Sequence, residues 1–324
     1  MSQPVKVGVI GVGALGRHHA RLYKECALAE LVGIYDINTD RAMEVAREVD
    51  TDWYNSIDEL SAAVDGLSVA VPTDLHHEHV MPLLKKGKHV LVEKPIAQTV
   101  TEAEELVHTA EGRNLILQVG HVERFNPVLD CLHEVPGEPR FIEAHRLAQY
   151  PPMRPGSLPR GTEVSVILDL MIHDIDVVLS LVQSEIERVD AVGVPVLSQT
   201  EDIANARLQF ANGCVANLTA SRVSQEQLRK IRLFKSTAYL SLDYQDHKGE
   251  LATLGSTGIK RQAVPVRESN ALKDELGDFC RCINVLQQNG TRSDPRVTGK
   301  QGLMALRVAE DIIRSARQAA GQCA

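Results

Sequence analysis

Val5-Lys6-Val7-Gly8-Val9-Ile10-Gly11-Val12-Gly13-Ala14-Leu15-Gly16 decides how this chain is read. An apolar run of strand length ends in glycines spaced G-x-G-x-x-G, and Leu15 through Tyr23 continues with helical periodicity. In a strand-turn-helix unit of this order the first glycine makes the tight turn, the second lets the backbone approach a pyrophosphate, and the third lets the helix pack on the strand. The helix N-terminus adds amide donors and partial positive charge, so Gly11, Gly13, Ala14, Leu15 and Gly16 are candidate phosphate contacts. A second apolar run, Leu31-Val32-Gly33-Ile34-Tyr35, delivers Asp36 about 20 residues after the last glycine, the spacing of a ribose contact. A carboxylate there accepts hydrogen bonds from ribose hydroxyls and repels a 2′-phosphate, with Ile37 and Asn38 beside it, which favours NAD over NADP. Arg41 lies near enough to pull the other way.

Composition narrows the class. With 324 residues, 44% of them hydrophobic, the chain is long enough for two globular domains and has no disordered character. The net charge of -8 disfavours nucleic-acid binding, which rests on phosphate neutralisation by Lys and Arg. No apolar stretch has membrane-span length and the N-terminus enters its first strand at once, so a cytoplasmic small-molecule protein is expected. Cysteines 26, 131, 214, 280, 282 and 323 show neither zinc-ribbon spacing nor C-x-x-C, and His76, His77 and His79 match no metal motif; no metal is expected.

From residue 5 to about 120, short apolar strands alternate with amphipathic helices, the pattern of a doubly wound parallel sheet. The later strands 66–71, 89–93 and 115–119 aim Pro72, Thr73, Lys94 and Gly120-His121 at one crevice beyond their carboxyl ends. Beyond residue 123 the rhythm becomes alternating strands at 141–148, 189–196, 204–210, 215–220, 228–234 and 238–242, with an Asn212-Gly213 turn, as in a mainly antiparallel sheet. Helices are expected at 163–182 and 271–287, and a last one at 301–319 is free to return to either domain. The expected architecture is therefore α/β: residues 1–122 as a dinucleotide-binding Rossmann domain and 123–324 as a substrate-binding and oligomerisation domain.

Two elements carry candidate chemistry. In the apolar helix 163–182, Asp169, His173 and Asp176 fall at i, i+4 and i+7 on one stripe. Burying such groups is costly unless they pair or face a wet cleft. The stripe reads either as an internal network or as an active-site wall, with His173 as general base and Asp169 orienting it or binding substrate. Lys94, in Glu93-Lys94-Pro95 at a strand end, is placed to hydrogen-bond a reacting hydroxyl and stabilise alkoxide charge. Pro95 restricts the backbone there and admits a cis bond.

Taken together, Gly11 through Gly16, Val71-Pro72-Thr73 with His76, Glu93-Lys94-Pro95, Gly120-His121 leading to Arg124-Phe125-Asn126-Pro127, and Asp169 through His173 to Asp176 resemble the glucose-fructose oxidoreductase, inositol dehydrogenase and rhizopine-catabolism family. The resemblance implies a Rossmann domain followed by an α/β domain with a large open sheet whose face packs into homodimers or homotetramers. It implies that Lys94 is the catalytic lysine of the E-K-P motif, that Asp169 and His173 are the aspartate-histidine pair of the inositol dehydrogenase branch, and that Pro72, Thr73, His76, Glu93 and Lys94 join the cofactor contacts. It also implies oxidation of a secondary alcohol on a sugar or cyclitol. The segment 120–127 is similar to that of members acting on nucleotide-linked amino sugars, UDP-N-acetylglucosamine 3-dehydrogenases among them, which makes Arg124 and Asn126 candidate substrate contacts. Arg146, Arg154, Arg160 and Arg222 are further candidate partners for a diphosphate, since arginine matches phosphate geometry bidentately. Other readings stay open: an inositol or free-sugar dehydrogenase, an NAD-sensing regulator without catalysis, and an enzyme that recycles bound NAD.

Overall fold

A computed structural model describes residues 3–135, 137–152, 161–255 and 258–322. The expected alternation forms β1 (Val5–Ile10), α1 (Ala14–Lys24), β2 (Ala29–Tyr35), α2 (Thr39–Val49), β3 (Asp52–Trp53), α3 (Ile57–Ala63), β4 (Gly66–Val69), α4 (His76–Lys85), β5 (His89–Glu93), α5 (Val100–Gly112) and β6 (Leu117–Gly120). The strands are all parallel, in the order β3-β2-β1-β4-β5-β6. That order reverses direction between β1 and β4, which opens a crevice at their carboxyl ends. Helices cover both faces, so β4, β5 and β6 are buried throughout, as their continuous apolar runs require. Local chemistry starts the helices: Asn38 caps α2, Ser56 caps α3, and Thr99 with Glu102 forms a capping box on α5.

The second sheet is built from β7 (Pro139–Leu147), β8 (Ile186–Val194), β9 (Ile203–Phe210), β10 (Val215–Ser221), β11 (Leu228–Lys235), β12 (Ala238–Asp243), β13 (Lys248–Gly255) and β14 (Gly258–Ala263). Its order is β14-β13-β12-β11-β7-β10-β9-β8, and every pairing is antiparallel except β7 with β10. Asn212-Gly213 turns β9 into β10, with Gly213 at φ +81 and the Asn212 side chain accepting from the Cys214 amide. β13 and β14 lie beyond the six strands expected from sequence. β14, GIKRQA, is the exposed edge strand, and β13, KGELATLG, reaches the core only through Leu251 and Ala252, so neither shows a sustained alternation. Between β6 and β7 lies the short α6 (Cys131–Glu134), and α7 (Ile172–Val182) packs on the second sheet.

Two compact units result. The first comprises Met1–Phe125 with Ser269–Met304, the second Asn126–Glu268 with Ala305–Ala324. A single cut at 122/123 therefore differs from this division. The reason is α8 (Ala271–Asn289), whose Leu276, Phe279, Cys280, Cys282 and Ile283 join the core made by Val5, Val7, Tyr23 and Leu91. Gly66 admits this helix: a Cβ there would lie 2.9 Å from the Ile283 side chain. The last helix, α9 (Gly299–Gln322), is shared. Gly299 and Gly302 lie close against Leu117 and Val119, whereas Ala305, Val308, Ala309 and Ile312 belong to the second core.

Candidate active site

The glycine turn carries the strongest geometric constraints of the first unit. Gly11 holds φ +81, and a Cβ on it would meet the Ala70 carbonyl at 2.9 Å; a Cβ on Gly16 would stand 1.8 Å from the Gly11 carbonyl oxygen. Gly13 is different, because the space its Cβ would enter contains nothing within 4 Å. Gly13 is also the N-cap of α1, with no side-chain cap on the helix and no acidic residue in its first turn. Amides of Ala14, Leu15 and Gly16 thus stand at an uncapped, positively polarised terminus with room above it, and the loop fits a pyrophosphate.

Asp36 is buried at the end of β2, accepting from the Val12 amide through Oδ2 and the Asn38 amide through Oδ1, each at 2.9 Å. Two bonds leave further lone pairs on an ionised carboxylate for ribose hydroxyls. Ile37 protrudes, 91% exposed, and the Arg41 guanidinium lies 3.5 Å from Asp36 Oδ2. Asp36→Ser is expected to lower kcat/KM for NAD about 10- to 100-fold, the range for a lost charge-assisted bond. It should also raise relative use of NADP, as Arg41 is released and the repulsive charge removed. Steady-state kinetics with both cofactors, repeated with Arg41→Ala added, checks this, and an unchanged NADP-to-NAD ratio refutes it.

Beyond β4 and β5 the crevice wall is made by Pro72, exposed, by Thr73, which opens a short turn, and by the Glu93-Lys94-Pro95 segment. The Lys94–Pro95 bond is cis, and Lys94 is half-buried. His76 is buried between two carbonyls, Nδ1 at 2.8 Å from that of Pro95 and Nε2 at 3.1 Å from that of Val71, and the one N–H of the neutral ring donates to one of them. It ties the ends of two strands together, and burial lowers its pKa. The Glu93 carboxylate lies inside the unit, 3.0 Å from His19 Nε2 and also accepting from the Lys94 amide. Burial works against its charge, but the His19 bond and the charges of His19 and Lys94 hold its pKa below the usual range. A Cβ on Gly120 would come within 3.0 Å of that carboxylate, so Gly120 is the space Glu93 occupies. His19 was not expected from sequence. The available signal was a carboxylate inside an otherwise buried strand, which requires a partner, and a histidine on the inner face of α1 with Gly16, Ala20 and Tyr23.

In the same unit, Arg124 donates through Nη2 to the Arg296 carbonyl at 3.1 Å. Asn126, in the second unit, is 5% exposed; its Oδ1 accepts from the Val128 amide and its Nδ2 donates to the Tyr244 carbonyl at 3.4 Å, a capping arrangement.

The expected helix 163–182 begins later and differently. Residues 161–164 form a turn, Ile167–Met171 is a π-helical segment, and α7 follows. Asp169 sits in the π segment and His173 in the first turn of α7, both half-buried. A π turn takes about one residue more than an α turn, so the 3.6-residue stripe does not run unbroken from Asp169 to Asp176. Asp176 is buried, and so is Asp174, which the stripe left out. Asp174 pairs bidentately with Arg146 at 2.9 and 3.1 Å, and the guanidinium lies 5.9 Å from the Tyr244 ring centroid. Arg146 thereby fastens α7 to β7 one residue past His173. Arg222 is equally committed, to Asp202 at 2.7 Å. Neither arginine is a diphosphate partner: at 3% and 2% exposure each needs an internal counter-charge. Arg154 and Arg160 lie outside the described residues. Among the described residues no three His, Cys, Asp or Glu side chains form a group able to hold a metal ion, and no helix is long and apolar enough to cross a membrane.

Comparison with known families agrees with this construction at both ends. Residues 5–121 match the oxidoreductase family profile with an NAD-binding Rossmann fold, and residues 134–241 match the GFO/IDH/MocA C-terminal domain. The chain belongs to the GFO/IDH/MocA oxidoreductase family. It is 38% identical over 286 residues, 86% of this chain and 88% of the relative, to UDP-N-acetylglucosamine 3-dehydrogenase of Acidithiobacillus ferrooxidans. A crystal structure of that GFO/IDH/MocA relative, GnnA, superposes with a TM-score of 0.87 at 35% identity, covering 97% of this chain and 98% of the other. Levoglucosan dehydrogenase in complex with NADH and levoglucosan has the same fold, with a TM-score of 0.87 at 20% identity and 98% of each chain covered. Family membership makes the chain an NAD-binding oxidoreductase.

Proposed function

We propose that this protein is an NAD-dependent dehydrogenase oxidising a secondary hydroxyl of a nucleotide-linked amino sugar, with UDP-N-acetylglucosamine, at C3, as its substrate. The observation carrying this reading is the 38% identity to a UDP-N-acetylglucosamine 3-dehydrogenase across 86% of the chain. Bound NAD supplies the hydride acceptor. Within the chain, the Lys94 ammonium hydrogen-bonds the reacting oxygen and stabilises the charge that develops as its proton leaves. His173 takes that proton, and Asp169 orients the sugar and the imidazole. Asp36 holds the adenosine ribose and the α1 terminus holds the pyrophosphate. Half-burial of Lys94, Asp169 and His173 supports these roles, because each keeps access to a ligand while losing part of its solvent. The π segment carrying Asp169 supports them too, since such turns are frequent at functional sites. We further propose a cytoplasmic protein that assembles as a homodimer or homotetramer through the face of its second, open sheet.

The test is a panel of UDP-sugars, free sugars and inositols with NAD, followed by NADH absorbance. UDP-N-acetylglucosamine is expected to give the highest kcat/KM and to release NADH. Preference for an inositol or free sugar overturns the substrate assignment, and no released NADH from any compound overturns the NADH-releasing dehydrogenase in favour of a cofactor-sensing protein or an enzyme that recycles bound NAD.

A further inference from the structure

We propose that Arg222, which the mechanism does not otherwise use, is a positioning residue that fixes the Asp169 carboxylate through the backbone of Gly161. The proposal rests on the reading of Asp169 as the residue that orients the substrate. All five guanidinium donors are spent inside the second unit. Nε donates to Asp202 Oδ1 at 2.7 Å, Nη1 to the Gly161 and Val164 carbonyls at 2.6 and 2.8 Å, and Nη2 to Ser198 Oγ and Thr200 Oγ1 at 3.0 and 2.8 Å. Asp202 is itself anchored, its Oδ2 accepting from the amides of Val196, Leu197 and Ser198. Burial opposes its charge, but these amides, Ser198 and Arg222 outweigh it and depress its pKa, so the guanidinium faces a carboxylate.

A buried ion pair by itself is weak evidence for stability, since apolar residues of similar volume often serve as well. What apolar residues cannot do is grip two carbonyls three residues apart. Arg222 does so, and Thr200 Oγ1 adds a bond to the Val164 carbonyl at 2.9 Å. The grip holds 161–164 in a turn immediately before the π segment. Gly161, at φ +82, presents its backbone to Asp169 so closely that a Cβ there would lie 2.5 Å from Oδ2. The carboxylate therefore rests against a wall whose position is set by Arg222.

The test is a double-mutant cycle on the NAD-loaded enzyme with UDP-N-acetylglucosamine. Gly161→Ala, Arg222→Lys and Thr200→Val are each made with Asp169 and with Asp169→Ala. Thr200→Val leaves the ion pair intact and serves where the other two do not fold. In the Asp169 enzyme, Gly161→Ala and Arg222→Lys are expected to lower kcat/KM about 100-fold, the effect of a misplaced group, and Thr200→Val less. In the Asp169→Ala enzyme each should cost no more than about twofold, because the group being positioned is gone. NAD affinity should stay unchanged throughout. Equal losses in both backgrounds overturn the inference and leave the role of Asp169 standing. Near-normal turnover by Asp169→Ala alone overturns the site reading, and the inference with it.

Discussion

Replacing His173 by alanine is expected to lower kcat about 100- to 10,000-fold, the contribution of a general base, with NAD affinity unchanged. The groups proposed to hold the cofactor, the glycine loop and Asp36, lie in the first unit, and His173 is not among them. Lys94→Ala should fall by a similar factor for another reason. Removing a positioned cation exposes the developing alkoxide to a site without compensating charge. Because both groups act more strongly in the transition state than in the ground state, kcat should fall with little rise in KM. Single-turnover rates and an NAD titration followed by the fluorescence of Trp53, the sole tryptophan, separate the two quantities. Partial recovery of His173→Ala by added imidazole would mark the lost group as a proton acceptor. Near-normal turnover in either variant removes that residue from the chemistry.

The second large effect is expected at the glycines, where two similar substitutions should fail differently. Gly16→Ala puts a methyl group 1.8 Å from a backbone oxygen, so α1 must move away from its strand. Overpacking of this kind costs about 3 kcal/mol, and NAD affinity should fall with it because the amides are displaced. Gly13→Ala clashes with nothing around the loop, so the ligand-free protein should unfold only slightly below the parent temperature, by the roughly 1 kcal/mol of a replaced glycine N-cap. Its methyl group instead occupies the approach of a pyrophosphate, and the rise in melting temperature on adding NAD should disappear. Thermal scans of both variants, with and without NAD, check this. A Gly13→Ala protein still stabilised by NAD would show that the cofactor does not pass over this loop.

These contrasts also show where sequence was informative. The first sheet was legible because strand, glycine turn, helix and terminal carboxylate follow one another within Val5–Asp36, and local order alone fixes what each contributes. β14 was not legible, since an edge strand exposed throughout carries no period of two, and in β13 only Leu251 and Ala252 reach the core, too few to show one. Asp169 and His173 stood out as polar residues in an apolar run, but nothing in their spacing announced the π segment Ile167–Met171 that carries Asp169. Arg146 and Arg222 were misread for a related reason. Their partners, Asp174 and Asp202, lie on other elements, and nothing within a few residues of an arginine says whether it meets solvent, phosphate or a buried carboxylate. His19 escaped notice because its reason for being there, Glu93, lies 74 positions away.

The return of α8 to the first unit bears on how the protein is born. A nascent chain that has emerged only as far as Phe125 carries every strand of the parallel sheet, yet the apolar floor formed by Val5, Val7 and Tyr23 lacks Leu276, Phe279 and Ile283 to cover it. On the ribosome that floor stays bare until the whole intervening sheet has been translated, an interval in which exposed apolar surface invites aggregation or chaperone capture. The nucleotide half, although encoded first, is thus completed late.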